Sequence, residues 1–213
     1  ADGPSRERGS PPAGADPYAA LRGSGKVVTL DRKGAIVREM DLGSLPNGMV
    51  HLGRNVYLVA DSVDAVVYRV DMDRGVATTW LADDRFRFVP GGGRGPGVNG
   101  AKLRNGMLYL ANSSVGALYT IKVGRDGKPA GALTKLADVR EIDDFDVARD
   151  GTVYAATHGP VVRIAPDGRT TELTDVKQVP GGPAVMLAKD QKSLYIVTEP
   201  VAGGPFLLRL WLQ

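Results

Sequence analysis

From Lys26 onward, short apolar runs alternate with turn residues, as in "VVTLDRKGAIVREM" and "NVYLVADSVDAVVYRVDM". The runs are rich in Val, Leu, Tyr and Thr. Gly, Asp and Asn close each run after five to eight residues. This is the pattern of strands joined by hairpins, and helical spacing is absent. Three stretches superimpose without gaps: "NGMVHLGRNVYLVADS" (47–62), "NGAKLRNGMLYLANSS" (99–114) and "DFDVARDGTVYAATHG" (144–159). "VMLAKDQKSLYIVTEP" (185–200) is a looser fourth copy. This alignment puts Tyr57, Tyr109, Tyr154 and Tyr195 in one register. A further strand follows each copy, and a fourth strand follows the first three ("VATTWLA", "ALTKLAD", "RTTELTD").

Four strands per unit, repeating every 40 to 50 residues or so, predict a β-propeller. A single four-stranded sheet cannot cover both of its faces, so successive sheets stack as blades. The expected fold class is all-β, with about four blades in this chain. "GKVVTLDRKGAIVREM" reads as the last two strands of a blade preceding Asn47. Residues 1–24 are rich in Pro, Gly, Ser and Arg and read as a disordered or extended leader, with the propeller domain over 25–213. An opening Ala1 in place of Met implies a removed segment: a signal peptide, a tag or an upstream piece.

The innermost strands of such a ring run the same way, so equivalent positions meet at one end of the central channel. The superposition puts Asn47, Asn99 and Asp144 at one such position, with Asp143 alongside. Amide and carboxylate oxygens converging there are the donors that a hard cation selects. As a plain alternative, Asn-Gly and Asp at strand starts are turn and capping residues.

The 213 residues carry a net charge of +3, with Lys and Arg interleaved among Asp and Glu and no basic cluster among aromatics, so nucleic acid is not an expected partner. No apolar run approaches the roughly 20 residues of a membrane helix. The chain has no cysteine, which excludes thiol catalysis, disulfides and cysteine metal sites. Of the two histidines, His158 ends a second strand and is a candidate base or metal ligand; His51 lies beside a turn. No nucleophile elbow occurs. The glycine-rich "VPGGGRGPGVNG" (89–100) lacks the Lys-Ser/Thr of a phosphate loop and reads as a long loop over the channel. Before it, "DDRFRF" offers Arg85 and Phe88 as a substrate wall, or else as packed anchors of a solvated loop. Trp80 and Trp211 read as core between blades.

"LPNGMVHLGRNVYLVADS", "GVNGAKLRNGMLYLANSS" and "DDFDVARDGTVYAATH" resemble, in order and spacing, three consecutive blades of the SMP-30/gluconolactonase/LRE-like family of six-bladed propellers. The resemblance covers roughly residues 25–213 and is nearest to poorly characterised, secreted microbial members. It implies a hydrolase of a small lactone or related ester at the channel mouth, dependent on a divalent metal: Ca²⁺ first, with Mg²⁺, Zn²⁺ or Mn²⁺ as alternatives. Carried over by motif, Asn99 and Asp144 hold the metal, with Asp143 as the fallback, and Asn47 contacts substrate. Asp144, Asp143 and His158 are the candidates for proton transfer. The family's metal-binding Glu belongs to a first blade, upstream of any counterpart here, and about one and a half blades are missing. Two arrangements follow: a shortened ring of about four blades, closed by N-terminal strands pairing with "SLYIVTEP" and "FLLRLWLQ", or an incomplete ring that needs an N-terminal segment or a second chain. The other function classes are a non-enzymatic binding propeller and a cyclase-type pocket without hydrolysis. The resemblance favours an extracytoplasmic location over a cytoplasmic one.

Overall fold

A computed structural model of the chain describes residues 23–93, 95–177, 179, 181–199 and 204–212. Most of the leader read from the sequence lies outside them. The described residues form seventeen strands and one short 3-10 turn. A hairpin of β1 (Lys26–Leu30) and β2 (Ile36–Asp41) comes first. Three four-stranded antiparallel sheets follow in chain order. The first holds β3 (Pro46–Gly53), β4 (Val56–Asp61), β5 (Val66–Asp71) and β6 (Val76–Ala82). The second holds β7 (Val98–Arg104), β8 (Met107–Asn112), β9 (Ala117–Lys122) and β10 (Thr134–Asp138). The third holds β11 (Ile142–Val147), β12 (Val153–Thr157), β13 (Val162–Ile164) and β14 (Thr170–Glu172). A three-stranded sheet of β15 (Ala184–Leu187), β16 (Ser193–Val197) and β17 (Leu207–Trp211) ends the chain.

Alternation within each strand sends successive side chains to opposite faces, and the buried clusters lie between sheets. Leu58, Ala60 and Trp80 of the first sheet meet Leu108, Leu110 and Ile121 of the second. Tyr109 and Ala111 meet Phe145, Val153 and Ala155 of the third. Ala156 and Val161 meet Val185, Leu194 and Ile196 of the last. Val27 and Met40 of the hairpin cover Val59 and Val70 on the other face of the first sheet. The strands β3, β7, β11 and β15 lie side by side as the inner edge of the stack. Among the described residues β1 and β2 pair only with each other. Closure by pairing of the N-terminal strands with β16 and β17 is therefore not what this structure shows; the stack is an open arc.

Trp80 is buried as expected, and its indole donates to the Gly127 carbonyl at 2.7 Å. Trp211 is not: it stands 62% exposed, because no sheet among the described residues covers the outer face of β17. Tyr57 also departs from its expected register. It packs towards the hairpin, whereas Tyr109 and Tyr154 face the following sheet. The β3–β4 hairpin is one residue longer than its counterpart, and in a strand one residue reverses the face.

The end of each second strand is clamped by a buried polar residue. Asp61 accepts from the backbone of Ser44, Leu45, Val63 and Asp64. Asn112 donates to the carbonyls of Arg85 and Arg87 and accepts from Ser114 and Val115. Replacing Asn112 with Ala orphans these buried groups. The expected cost is about 2 kcal/mol, a fall of roughly 4–8 °C in Tm, read by thermal melting.

Candidate functional site

One irregularity recurs at the same place in the three full sheets. Pro46 pairs with Asp61 and Met49 with Val59. Val98 pairs with Asn112 and Ala101 with Leu110. Ile142 pairs with Thr157 and Phe145 with Ala155. In each case the inner strand advances three residues while its partner advances two, which is a β-bulge. The residues in the bulges are Asn47–Gly48, Asn99–Gly100 and Asp143–Asp144. Asp143, not Asp144, is thus the structural counterpart of Asn47 and Asn99.

The glycines of the first two bulges mark close approach between sheets. A Cβ on Gly48 would lie 2.3 Å from the Asn99 carbonyl oxygen, and one on Gly100 would lie 3.1 Å from that of Asp143. Neither glycine has a positive φ, so the constraint is space alone. This accounts for Asn-Gly here better than the turn reading does.

The residue after each second-strand clamp faces the bulge. Ser62, Ser113 and His158 hold this place, and Glu199 holds it in the last sheet. Asn47 Nδ2 donates to Ser62 Oγ at 3.4 Å, and Ser62 Oγ donates to the Val98 carbonyl at 2.6 Å. Asn99 Nδ2 donates to Ser113 Oγ at 3.1 Å and to Asp143 Oδ1 at 2.6 Å. Asp143 Oδ2 lies 4.0 Å from His158 Nε2, and His158 Nδ1 bonds to Glu199 Oε1. A polar chain therefore runs across the inner ends of all four sheets, from Asn47 to Glu199. His158 also lines a cleft of about 610 Å³ with Asp138, Glu141, Thr157, Thr170 and Glu172.

Burial pushes the Asp143 carboxyl above its usual range; the Asn99 hydrogen bond and His158 oppose the shift, while Asp144 and Glu199 add to it. Because the folded value is raised, the protonated carboxyl favours the fold. That contribution is whole below the unfolded aspartate value of about 3.9 and is lost as pH rises through the folded one. Asp143→Asn, which does not ionise, is therefore expected to melt above the wild type at neutral pH. The gain should vanish in acid below that value, as paired thermal melts would show.

The other predicted residues go elsewhere. Asp144 turns to Lys102, whose Nζ lies 2.9 Å and 3.2 Å from its two oxygens. Arg85 is tied to Asp83 at 2.6 Å, donates to the Leu133 carbonyl and lies over the Tyr119 ring at 5.8 Å, on the outer strands of the second sheet. Phe88 is half-buried just beyond the 3-10 turn, and the anchor there is the fully buried Phe86. Neither Arg85 nor Phe88 joins the polar chain. The glycine-rich loop is bound down at Ser114, whose backbone amide donates to the Pro96 carbonyl and whose hydroxyl accepts from the Val89 amide. His51 bonds the Arg54 carbonyl in its own hairpin.

As a cradle for a resident divalent cation, the set falls short. Asn99 and Asp143 offer one amide and one carboxylate, and Asp144 is held by an ammonium. Among the described residues no group of three His, Asp or Glu side chains is arranged to hold a metal ion, whereas calcium takes six to eight oxygens. The metal-binding Glu that the resemblance places upstream has no counterpart among them.

No protein-family model matches the chain, and no curated protein is similar to it in sequence. Its fold is matched by solved structures. A gluconolactonase from Xanthomonas campestris aligns with a TM-score of 0.62 over 86% of this chain and 64% of its own, at 20% identity. The fold is a β-propeller. An inactive His-to-Ala virginiamycin B lyase from Staphylococcus aureus, solved with quinupristin, aligns with a TM-score of 0.58 over 86% of this chain and 61% of its own, at 14% identity. A PQQ-bound aldose sugar dehydrogenase from Streptomyces coelicolor aligns with a TM-score of 0.57 over 84% and 62%, at 18% identity. This chain thus spans about two-thirds of the propellers it resembles. In propeller terms, the three full sheets are complete blades, and the bulges and clamps lie at one mouth of the channel.

Proposed function

We propose that the propeller hydrolyses a small cyclic ester at this mouth, with His158 as general base. The observation that carries the reading is the placement of the His158 ring between the carboxylates of Asp143 and Glu199 at the inner ends of the sheets. The 4.0 Å between Asp143 Oδ2 and His158 Nε2 is a gap that one water can bridge. Such a water would lose a proton to Nε2 as it attacks the ester carbonyl. Collapse of the tetrahedral adduct then breaks the ring acyl C–O bond, and the imidazolium returns the proton to the departing alkoxide, giving the hydroxy acid. Glu199, bonded to Nδ1, holds the tautomer that leaves Nε2 free and stabilises the imidazolium that forms. Asn99 and Ser113 hold Asp143 in place. The gluconolactonase among the structural neighbours supports a lactone as substrate class. The lyase inactivated by loss of a histidine supports a second reading, ring opening by elimination with the same base.

The test is turnover of an aldonolactone panel in ¹⁸O-labelled water, with EDTA and with added Ca²⁺. The expected outcome is a hydroxy acid carrying one label, at a rate unaffected by EDTA. An unlabelled alkene product would favour elimination. Loss of rate in EDTA with recovery in Ca²⁺ would restore the metal-dependent route that the sequence suggests. No turnover of any substrate would leave a binding propeller.

A further inference from the structure

At the opposite ends of the strands from the polar chain, a cleft of about 570 Å³ opens between the first and second complete blades. The β3–β4 turn brings Arg54 to it, and the β5–β6 turn brings Asp73 and Arg74. Arg69 and Asp71 reach it from the end of β5, and Arg125 and Asp126 from the β9–β10 connection. That connection is strapped to the first blade. The Gly127 carbonyl accepts from the Trp80 indole at 2.7 Å, and a Cβ on Gly127 would lie 3.8 Å from Leu52 Cδ1. The two walls of the cleft are therefore fixed to each other.

Its charges are unequally engaged. Asp71 accepts from the Arg74 amide at 3.1 Å, with the Arg74 guanidinium 3.9 Å away. Asp73 accepts from Asn55 Nδ2 at 2.6 Å. Asp126 accepts from the Lys128 amide at 3.1 Å, with the Lys128 ammonium 3.9 Å away. By contrast, Arg54, Arg69 and Arg125 have no carboxylate within ion-pair distance among the described residues. Arg69 is also half-buried. A guanidinium partly withdrawn from water without a counter-charge is disfavoured, and an anion in the cleft would relieve it.

We infer that this cleft binds a small phosphate monoester. The planar fork of each guanidinium matches a pair of phosphate oxygens. Three such forks, from two turns and a strand, line one volume in the range of small-ligand sites. The three aspartates select against a long polyanion, since an extended row of phosphates would meet like charges beside the arginines. A single phosphate group aimed at Arg69 avoids them. Binding here does not depend on the chemistry proposed for His158.

The test is titration calorimetry of the full chain with inorganic phosphate and with glycerol 3-phosphate, at an ionic strength held constant with chloride. One ligand per chain is expected, together with a Tm that climbs as ligand is added. Arg69→Gln and Arg125→Gln should each weaken binding by about tenfold or more. Without ligand, Arg69→Gln should melt no lower than the wild type, because the group it removes has no ion partner to lose. Lys33→Gln, on the exposed β1–β2 turn, is the control and should bind as the wild type does. Absence of heat and of any Tm shift with both probes would overturn the inference. So would binding that is undiminished in both arginine variants. An affinity that rises steadily with chain length through a series of inorganic polyphosphates would overturn it in favour of a polyanion.

Discussion

Gly48→Ala is expected to cost about 4 kcal/mol or more, well above a typical substitution. The added methyl carbon would lie 2.3 Å from the Asn99 carbonyl oxygen, 2.5 Å from the Ala101 nitrogen and 2.9 Å from the Ala101 Cβ. Two of these are backbone atoms of the neighbouring inner strand, and they cannot rotate away. Relief requires the first and second blades to part, which would open the contacts of Leu58 and Ala60 with Leu108 and Leu110. Gly159→Ala is the control: its nearest atom is a side-chain oxygen at 3.6 Å, and its φ is not positive. Denaturant unfolding should show Gly159→Ala near the wild type and Gly48→Ala with a midpoint far lower.

The contrast shows what the sequence could convey. Strands, repeats and the stacking of four-stranded units were all legible, because each depends on alternation and turn residues within a short window. The two-stranded hairpin ahead of Asn47 was legible for the same reason. The site was legible only to within one residue. The ungapped copies put Asp144 in the place of Asn99. Thr157 lies 15 residues after its partner Ile142, whereas Asn112 lies 14 after Val98 (157 − 142 against 112 − 98), so copies aligned on the second strand slip by one residue on the first. Since alternate residues face opposite ways, the slip exchanged the carboxylate beside Asn99 for one beside Lys102.

Glu199 was missed although a signal was present. The offset that aligns Tyr195 with Tyr154 also aligns Glu199 with His158, and the offset between Tyr154 and Tyr109 leads from His158 to Ser113. Residue type concealed the equivalence, since Ser, His and Glu do not read as one repeat position. Trp211 was misread for a different reason. Alternation shows that a residue lies on a sheet face, but whether that face is covered depends on what stacks against it.

His158→Ala is expected to lower kcat by about 10²- to 10⁴-fold, the range set by loss of a positioned general base. The fold should survive, since His158 belongs to none of the buried apolar clusters and its ring contacts are Glu199 and Asp143. Asp143→Asn separates chemistry from stability at the same place. It should lose rate, because an amide neither orients the attacking water nor stabilises the imidazolium as a carboxylate does. It should nevertheless melt above the wild type at neutral pH, because the charge it removes is one that burial disfavours. A structural role for this cluster predicts the reverse pairing, with stability lost alongside any rate. Rates and melts on the two variants at neutral pH distinguish the cases: two active variants would dismiss His158 as the base, and an Asp143→Asn protein that is both slower and less stable would make the polar chain a clamp between blades.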